Sequence, residues 1–124
     1  MDIYYQHKIG QRAELKACLY LQKQGLKLIR QNYTCFHGEI DLIMRDKEDI
    51  VFIEVRCRSR IDYGRSAETI TLAKQKKIIR AATHFLQKNE WLYKVCSRFD
   101  VIAIERKDNK WQLEWIKNAF WTEN

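Results

Sequence analysis

The stretch Gly38-Glu39-Ile40-Asp41-Leu42-Ile43-Met44-Arg45, then Asp46-Lys47-Glu48-Asp49, then Ile50-Val51-Phe52-Ile53-Glu54-Val55-Arg56-Cys57-Arg58, decides the fold. Its two flanks are rich in Ile, Val, Phe and Leu, which suit a pleated surface, and the link between them is polar. The pattern predicts a hairpin with strands over 38–45 and 50–58. If the chain reverses between Lys47 and Glu48, residues that face each other have numbers summing to 95. Ile40 then faces Val55, Leu42 faces Ile53 and Met44 faces Val51, so one side of the ribbon is wholly apolar and is expected to face a core. On the other side Ile43 faces Phe52, Asp41 faces Glu54 and Glu39 faces Arg56. Two carboxylates thus stand opposite each other, with Cβ atoms about 5 Å apart.

Outward from the hairpin the periodicity changes. Ala13, Ala17, Cys18 and Leu21 recur at helical spacing between His7 and Gln24, and Gly25 follows as a stop. Leu26 to Cys35 reads as a strand with imperfect alternation. Thr71 to Asn89 reads as a second helix with Ile78, Ala82, Phe85 and Leu86 on one face and Lys77, Arg80, His84 and Lys88 on another. Two late strands, over Arg98–Glu105 and Trp111–Ile116, flank the turn-like run Lys107-Asp108-Asn109-Lys110. Trp111, Leu113 and Trp115 share one strand face, which is read as core in preference to a base-stacking platform. Asp100, near the start of a strand, is read as a turn cap.

The 124 residues suit one domain over 1–124, and neither proline nor repeats nor a linker-like run interrupts them. Apolar residues make up 46% and charged residues 31%, the balance of a folded domain. No apolar run approaches the roughly 20 residues that span a bilayer, and the polar start is no secretory signal, so a cytoplasmic protein without a membrane partner is expected. Cys18, Cys35, Cys57 and Cys96 have no metal-ligand spacing and are read as buried free thiols. His7, His37 and His84 each stand alone and are given no role.

The net charge is +7, and the segment from Arg56 to Arg80 holds nearly all of the excess. Arg56, Arg58, Arg60, Arg65, Lys74, Lys76, Lys77 and Arg80 stand there against Asp62 and Glu68, a net +6. Such a stripe is either a footprint for a nucleic-acid backbone or a solvated face. Facing carboxylates repel, so Asp41 and Glu54 call for a cation. A divalent ion with hard oxygen ligands would answer, since Mg²⁺ takes one or two carboxylates and keeps waters and substrate phosphate. Pairing with Arg56 and Arg58 in a structural network is the other reading of the same residues.

The motif Gly38-Glu39-Ile40-Asp41-Leu42-Ile43 followed by Val51-Phe52-Ile53-Glu54-Val55-Arg56-Cys57-Arg58 resembles the PD-(D/E)XK nuclease superfamily. More closely, it is similar to the YraN-like group of small proteins related to Holliday-junction resolvases. The resemblance extends to Gly10, Ala13, Glu14, Ala17, Tyr20, Leu21 and Gly25, to Thr71 and Lys74, and to Arg98-Phe99-Asp100-Val101. It implies an α/β, restriction-endonuclease-like αβββαβ core with a mixed central sheet flanked by helices. It also implies Asp41 and Glu54 as ligands of Mg²⁺ or Mn²⁺, Glu14 as the helix carboxylate that completes the site, and a homodimer as in resolvases.

Two positions depart from the pattern. Ile40 stands where the motif name has proline, and Arg56 replaces the motif lysine. Arginine does not deprotonate in a protein, so it can hold phosphate or steady charge but cannot act as a base. Lys74 or Lys77 could supply an ammonium from the second helix. Glu14 either joins the metal site or pairs with Arg12 or Arg56, and Glu39 ranks below Asp41. The expectation is a metal-dependent nuclease acting on DNA, with Asp41, Glu54, Arg56 and Glu14 as catalytic residues and Arg56, Arg58, Lys74, Lys77 and Arg80 on the nucleic acid. The alternative is a non-catalytic binding module on the same frame.

Overall fold

The computed structural model describes residues 3–57 and 70–122, with side chains from residue 10 onward. Arg58, Arg60 and Arg65 of the basic stripe lie outside the described residues. The element order is α1 (Ile3–Lys23), β1 (Lys27–Cys35), β2 (Gly38–Asp46), β3 (Asp49–Cys57), α2 (Leu72–Lys88), β4 (Ser97–Lys107) and β5 (Lys110–Phe120). The strands form one mixed sheet in the order β1-β2-β3-β4-β5. Only β3 and β4 pair in parallel, as a strand–helix–strand crossover through α2 requires. This is the expected α/β arrangement, with β5 added at the edge.

Each helix closes where its sequence directs. At the end of α1, Gly25 takes a left-handed backbone (φ 100°). Its N–H donates to Gln22 O at 3.0 Å, and the Leu26 N–H donates to Leu21 O at 3.1 Å. These two bonds satisfy carbonyls that the helix leaves open, and buried Leu21 and Leu26 meet in the core beside them. At the start of α2, Thr71 Oγ1 accepts from the Lys74 N–H at 3.2 Å, a serine/threonine-type cap worth about 1 kcal/mol. Ile78, Ala81, Ala82, Phe85 and Leu86 form the buried stripe of α2.

The sheet is buried on both faces. Ala13, Ala17, Cys18 and Leu21 of α1 pack with Leu42, Met44, Val51, Ile53, Ile102 and Ile104. On the other face α2 packs with Ile43, Ile50, Phe52, Phe99 and Val101. Trp111, Leu113 and Trp115 lean on the α1-side core, as expected. Gly38 lets β2 start hard against α2, because a Cβ there would lie 3.4 Å from both Cβ and the carbonyl oxygen of Lys77. No described helix is long and apolar enough to cross a membrane.

Three expectations are corrected. Ile40 packs on the α2 side with Tyr33 and Ile43, not with Leu42 on the α1 side. The cysteines are free thiols, but only Cys18 is buried; Cys57 and Cys96 are exposed. Asp100 is no turn cap. It lies within β4, fully buried, and accepts from Arg98 Nε (3.1 Å), Trp115 Nε1 (3.0 Å) and the Asn118 N–H (3.0 Å). Arg98 also donates to Asp46 at 2.8 Å, which ties the closed end of the hairpin to β4. Asp100→Ala strands these donors, and urea denaturation is expected to show a loss of about 2–4 kcal/mol. A loss below about 1 kcal/mol would mean that the network does not hold the sheet together.

Candidate functional site

The β2–β3 ladder keeps the register read from the sequence, from Asp46↔Asp49 through Met44↔Val51 to Leu42↔Ile53. There the pairing ends, one step short of the expected Asp41↔Glu54 pair. Asp41 Oδ2 instead accepts the Val55 N–H at 2.8 Å, so a side chain takes the place of a backbone partner. The same point carries the change of side noted above, since Ile40 and Leu42 are on opposite faces of the sheet. Regular alternation would put them on one face, so the alternation of β2 breaks at Asp41 while its register with β1 is kept. Across the ladder Tyr33 pairs with Ile40 and Gln31 with Leu42, which leaves Asn32 opposite Asp41. Asn32 has a left-handed backbone (φ 51°), a conformation that asparagine tolerates better than most residues.

The two carboxylates are therefore neighbours at a fork and not a regular cross-strand pair. Asp41 meets α1, where its carboxyl shares a hydrogen bond with that of Glu14. Both line a cavity of about 220 Å³ together with the amides of Gln11, Gln31 and Asn32. Glu14 thus meets the carboxyl of Asp41, and the charges of Glu39 and Glu54 also act on it. Glu54, 7% exposed, meets α2, where Lys74 Nζ lies 2.8 Å from Oε1. Arg56 follows two residues along β3, half-buried, and its charge acts on both Glu54 and Lys74.

Burial sets the electrostatics. It pushes Asp41 up to about 7, against the opposing Val55 N–H bond and with help from the charges of Glu14 and Glu39. It pushes Glu54 up to about 7 as well, with Asp41 adding repulsion and Lys74 and Arg56 opposing it. Glu14 is also raised, first by burial. Lys74 is raised, chiefly by its hydrogen bond to Glu54, so its ammonium stays charged at neutral pH.

The remaining basic residues divide. Lys77 and Arg80 are exposed on α2, as expected for a polyanion surface. His84, expected on the same face, is half-buried, and its Nδ1 is hydrogen-bonded to the hydroxyl of buried Tyr33. That bond joins α2 to β1. A half-buried tyrosine–histidine pair leaves no periodic trace in a sequence, and the reading from sequence missed it.

The sequence model of the uncharacterised protein family UPF0102 matches residues 13–104, from α1 to β4. The chain belongs to this family. A UPF0102 protein of Coxiella burnetii (strain RSA 331) is 48% identical over 90% of this chain and 91% of its own. One from Legionella pneumophila (strain Corby) is 49% identical over 90% and 92%. One from Nitrosococcus oceani is 44% identical over 93% of each. Family membership agrees with the YraN-like resemblance of the hairpin motif.

The raised acids set a pH dependence. Unfolded, Asp41 and Glu54 titrate near about 4; folded, they hold their protons up to about 7. The folded state therefore binds more protons between these values, and stability falls as pH rises through the window. In metal-free buffer the unfolding free energy is expected to be about 1–3 kcal/mol lower at pH 8 than at pH 5. Asp41→Asn should flatten the profile. Equal stability at the two pH values in wild type would contradict the assignment.

Proposed function

We propose that this chain is a metal-dependent nuclease acting on DNA phosphodiester bonds, with Asp41 and Glu54 as its acidic centre. The observation that supports this most is the fork itself, where a half-buried and a buried carboxylate lie beside each other and the buried one carries a lysine at 2.8 Å. Both acids resist ionisation without a further cation. Among the described residues no three or more His, Cys, Asp or Glu side chains gather to enclose an ion. Mg²⁺ or Mn²⁺ needs only one or two carboxylates, which the two acids of the fork would supply, and leaves positions to water and phosphate. Asp41 and Glu54 would hold the ion, and Glu14 would support Asp41 through the hydrogen bond their carboxyls share. Bound there, a divalent ion lowers the pKa of water and steadies phosphate charge.

The protein's own groups supply the rest. Lys74 and Arg56 carry positive charge beside Glu54, and the Glu54 carboxylate holds the Lys74 ammonium in its charged form. They can orient a phosphate and offset charge that develops on it, but they cannot take a proton from water. Lys74 thus stands in for the charge of the motif lysine from a helix, while Arg56 keeps the strand position. Exposed Lys77 and Arg80 extend this positive surface along α2 for the DNA backbone. A second reading, a non-catalytic binding module, is favoured by one feature, namely that Arg56 occupies the lysine position while Lys74 is held by Glu54.

A screen over linear, flapped and four-way DNA with Mg²⁺ and Mn²⁺ separates the readings. Cleavage by wild type should be abolished in Asp41→Asn. Arg56→Lys should keep or raise the rate, and Arg56→Ala or Lys74→Ala should lower it about a hundredfold, the usual loss for one charge-stabilising contact. An inert wild type whose Arg56→Lys variant gains metal-dependent cleavage would select the binding module. Cleavage undiminished by Asp41→Asn would remove the acidic centre from the chemistry.

A further inference from the structure

Helix α2 carries five basic residues and no acidic one. Lys74 points to Glu54, but Leu72, Lys76, Ile79 and Arg80 are centred on another flank, since Lys74 lies about 200° around the axis from both Leu72 and Lys76. That flank closes against the chain just beyond β5. Leu72, Lys76, Ile79 and Arg80 line a cleft of about 240 Å³ with Trp121, which is 70% exposed. Leu72 is also exposed, at 65%. An open indole, an apolar floor and two cations are thus brought together on the most basic element of a chain of charge +7.

We infer that this cleft binds an unpaired nucleotide of a single-stranded nucleic acid, with the base stacked on Trp121 and its phosphates on Lys76 and Arg80. The inference rests on the nucleic-acid reading above and names the substrate class for it, DNA with unpaired bases. Stacking needs a free π-face, which a base within a duplex does not offer, so an exposed tryptophan beside cations discriminates in favour of single strands. The phosphates supply the charge that the cleft complements. The volume is below the roughly 300–1,000 Å³ of a drug-sized site and fits one planar base, not a larger ligand. Trp121 lies beyond the matched residues 13–104, whereas the α2 wall of the cleft lies within them.

The test measures binding of a fluorescein-labelled twenty-nucleotide oligothymidylate and of a duplex of equal length, without divalent ions so that no cleavage intervenes. Wild type should bind the single strand more tightly. Trp121→Leu should weaken that binding about tenfold and leave the duplex unchanged, and Trp121→Phe, which keeps a ring, should restore most of it. Tryptophan fluorescence of wild type should be quenched by the unlabelled single strand, a readout that does not depend on a variant. If both nucleic acids bind but Trp121→Leu changes neither and no quenching occurs, the cleft is refuted while the nucleic-acid reading stands. If neither binds, the nucleic-acid reading fails and the cleft proposal with it. If polyglutamate displaces the single strand as well as oligothymidylate does, the surface recognises charge alone, and an acidic protein partner replaces the proposal.

Discussion

One hydrogen bond, from the Val55 N–H to Asp41 Oδ2, organises the site. A strand amide in a buried sheet must find an acceptor, and at this point the neighbouring strand offers a carboxylate in place of a carbonyl. The consequence is geometric as well as energetic. The alternation of β2 breaks, Ile40 turns to the α2 side, and Asp41 is held at the opening between two strands instead of projecting regularly from one. The hydrogen bond also offsets part of the penalty of burying the charge, although burial still dominates and raises Asp41.

Glu54 meets a different constraint. It stands next to the first turn of α2, which has no acidic residue of its own and which carries Lys74 where a cation is unfavourable. The carboxylate of Glu54 lies on that ammonium and so answers both the helix end and the lysine. The two acids of the fork are thereby anchored to different helices on opposite faces of the sheet, Asp41 by way of Glu14 on α1 and Glu54 by way of Lys74 on α2. At the other end of the hairpin Arg98 binds Asp46 and Asp100, so the ribbon is fixed at its closed end and open at its acidic end.

Much of this was legible in the sequence. The register followed from polarity alone, because a shift of one residue would have set apolar side chains against polar ones along the whole ribbon. The apolar face of Ile78, Ala82, Phe85 and Leu86 placed α2 to within a residue at each end. The break in alternation at Asp41 was not legible, since a binary pattern assumes that alternation continues; its one signal was Asn32, an asparagine within a strand. Nor could the pattern show that the partner of Glu14 is another carboxyl, or that Asp100 collects donors from Arg98, Trp115 and Asn118. Those contacts depend on where individual side chains point, which no period in the sequence encodes.

The acids of the fork are proposed to form a cation site. Titration calorimetry of Mn²⁺ into the metal-free chain at pH 8, where both acids ionise, tests it most directly. One ion is predicted to bind with a Kd of about 10 µM to 1 mM, and the Asp41→Asn, Glu54→Gln double variant should show no binding in that range. Equal binding by wild type and the double variant would contradict the account.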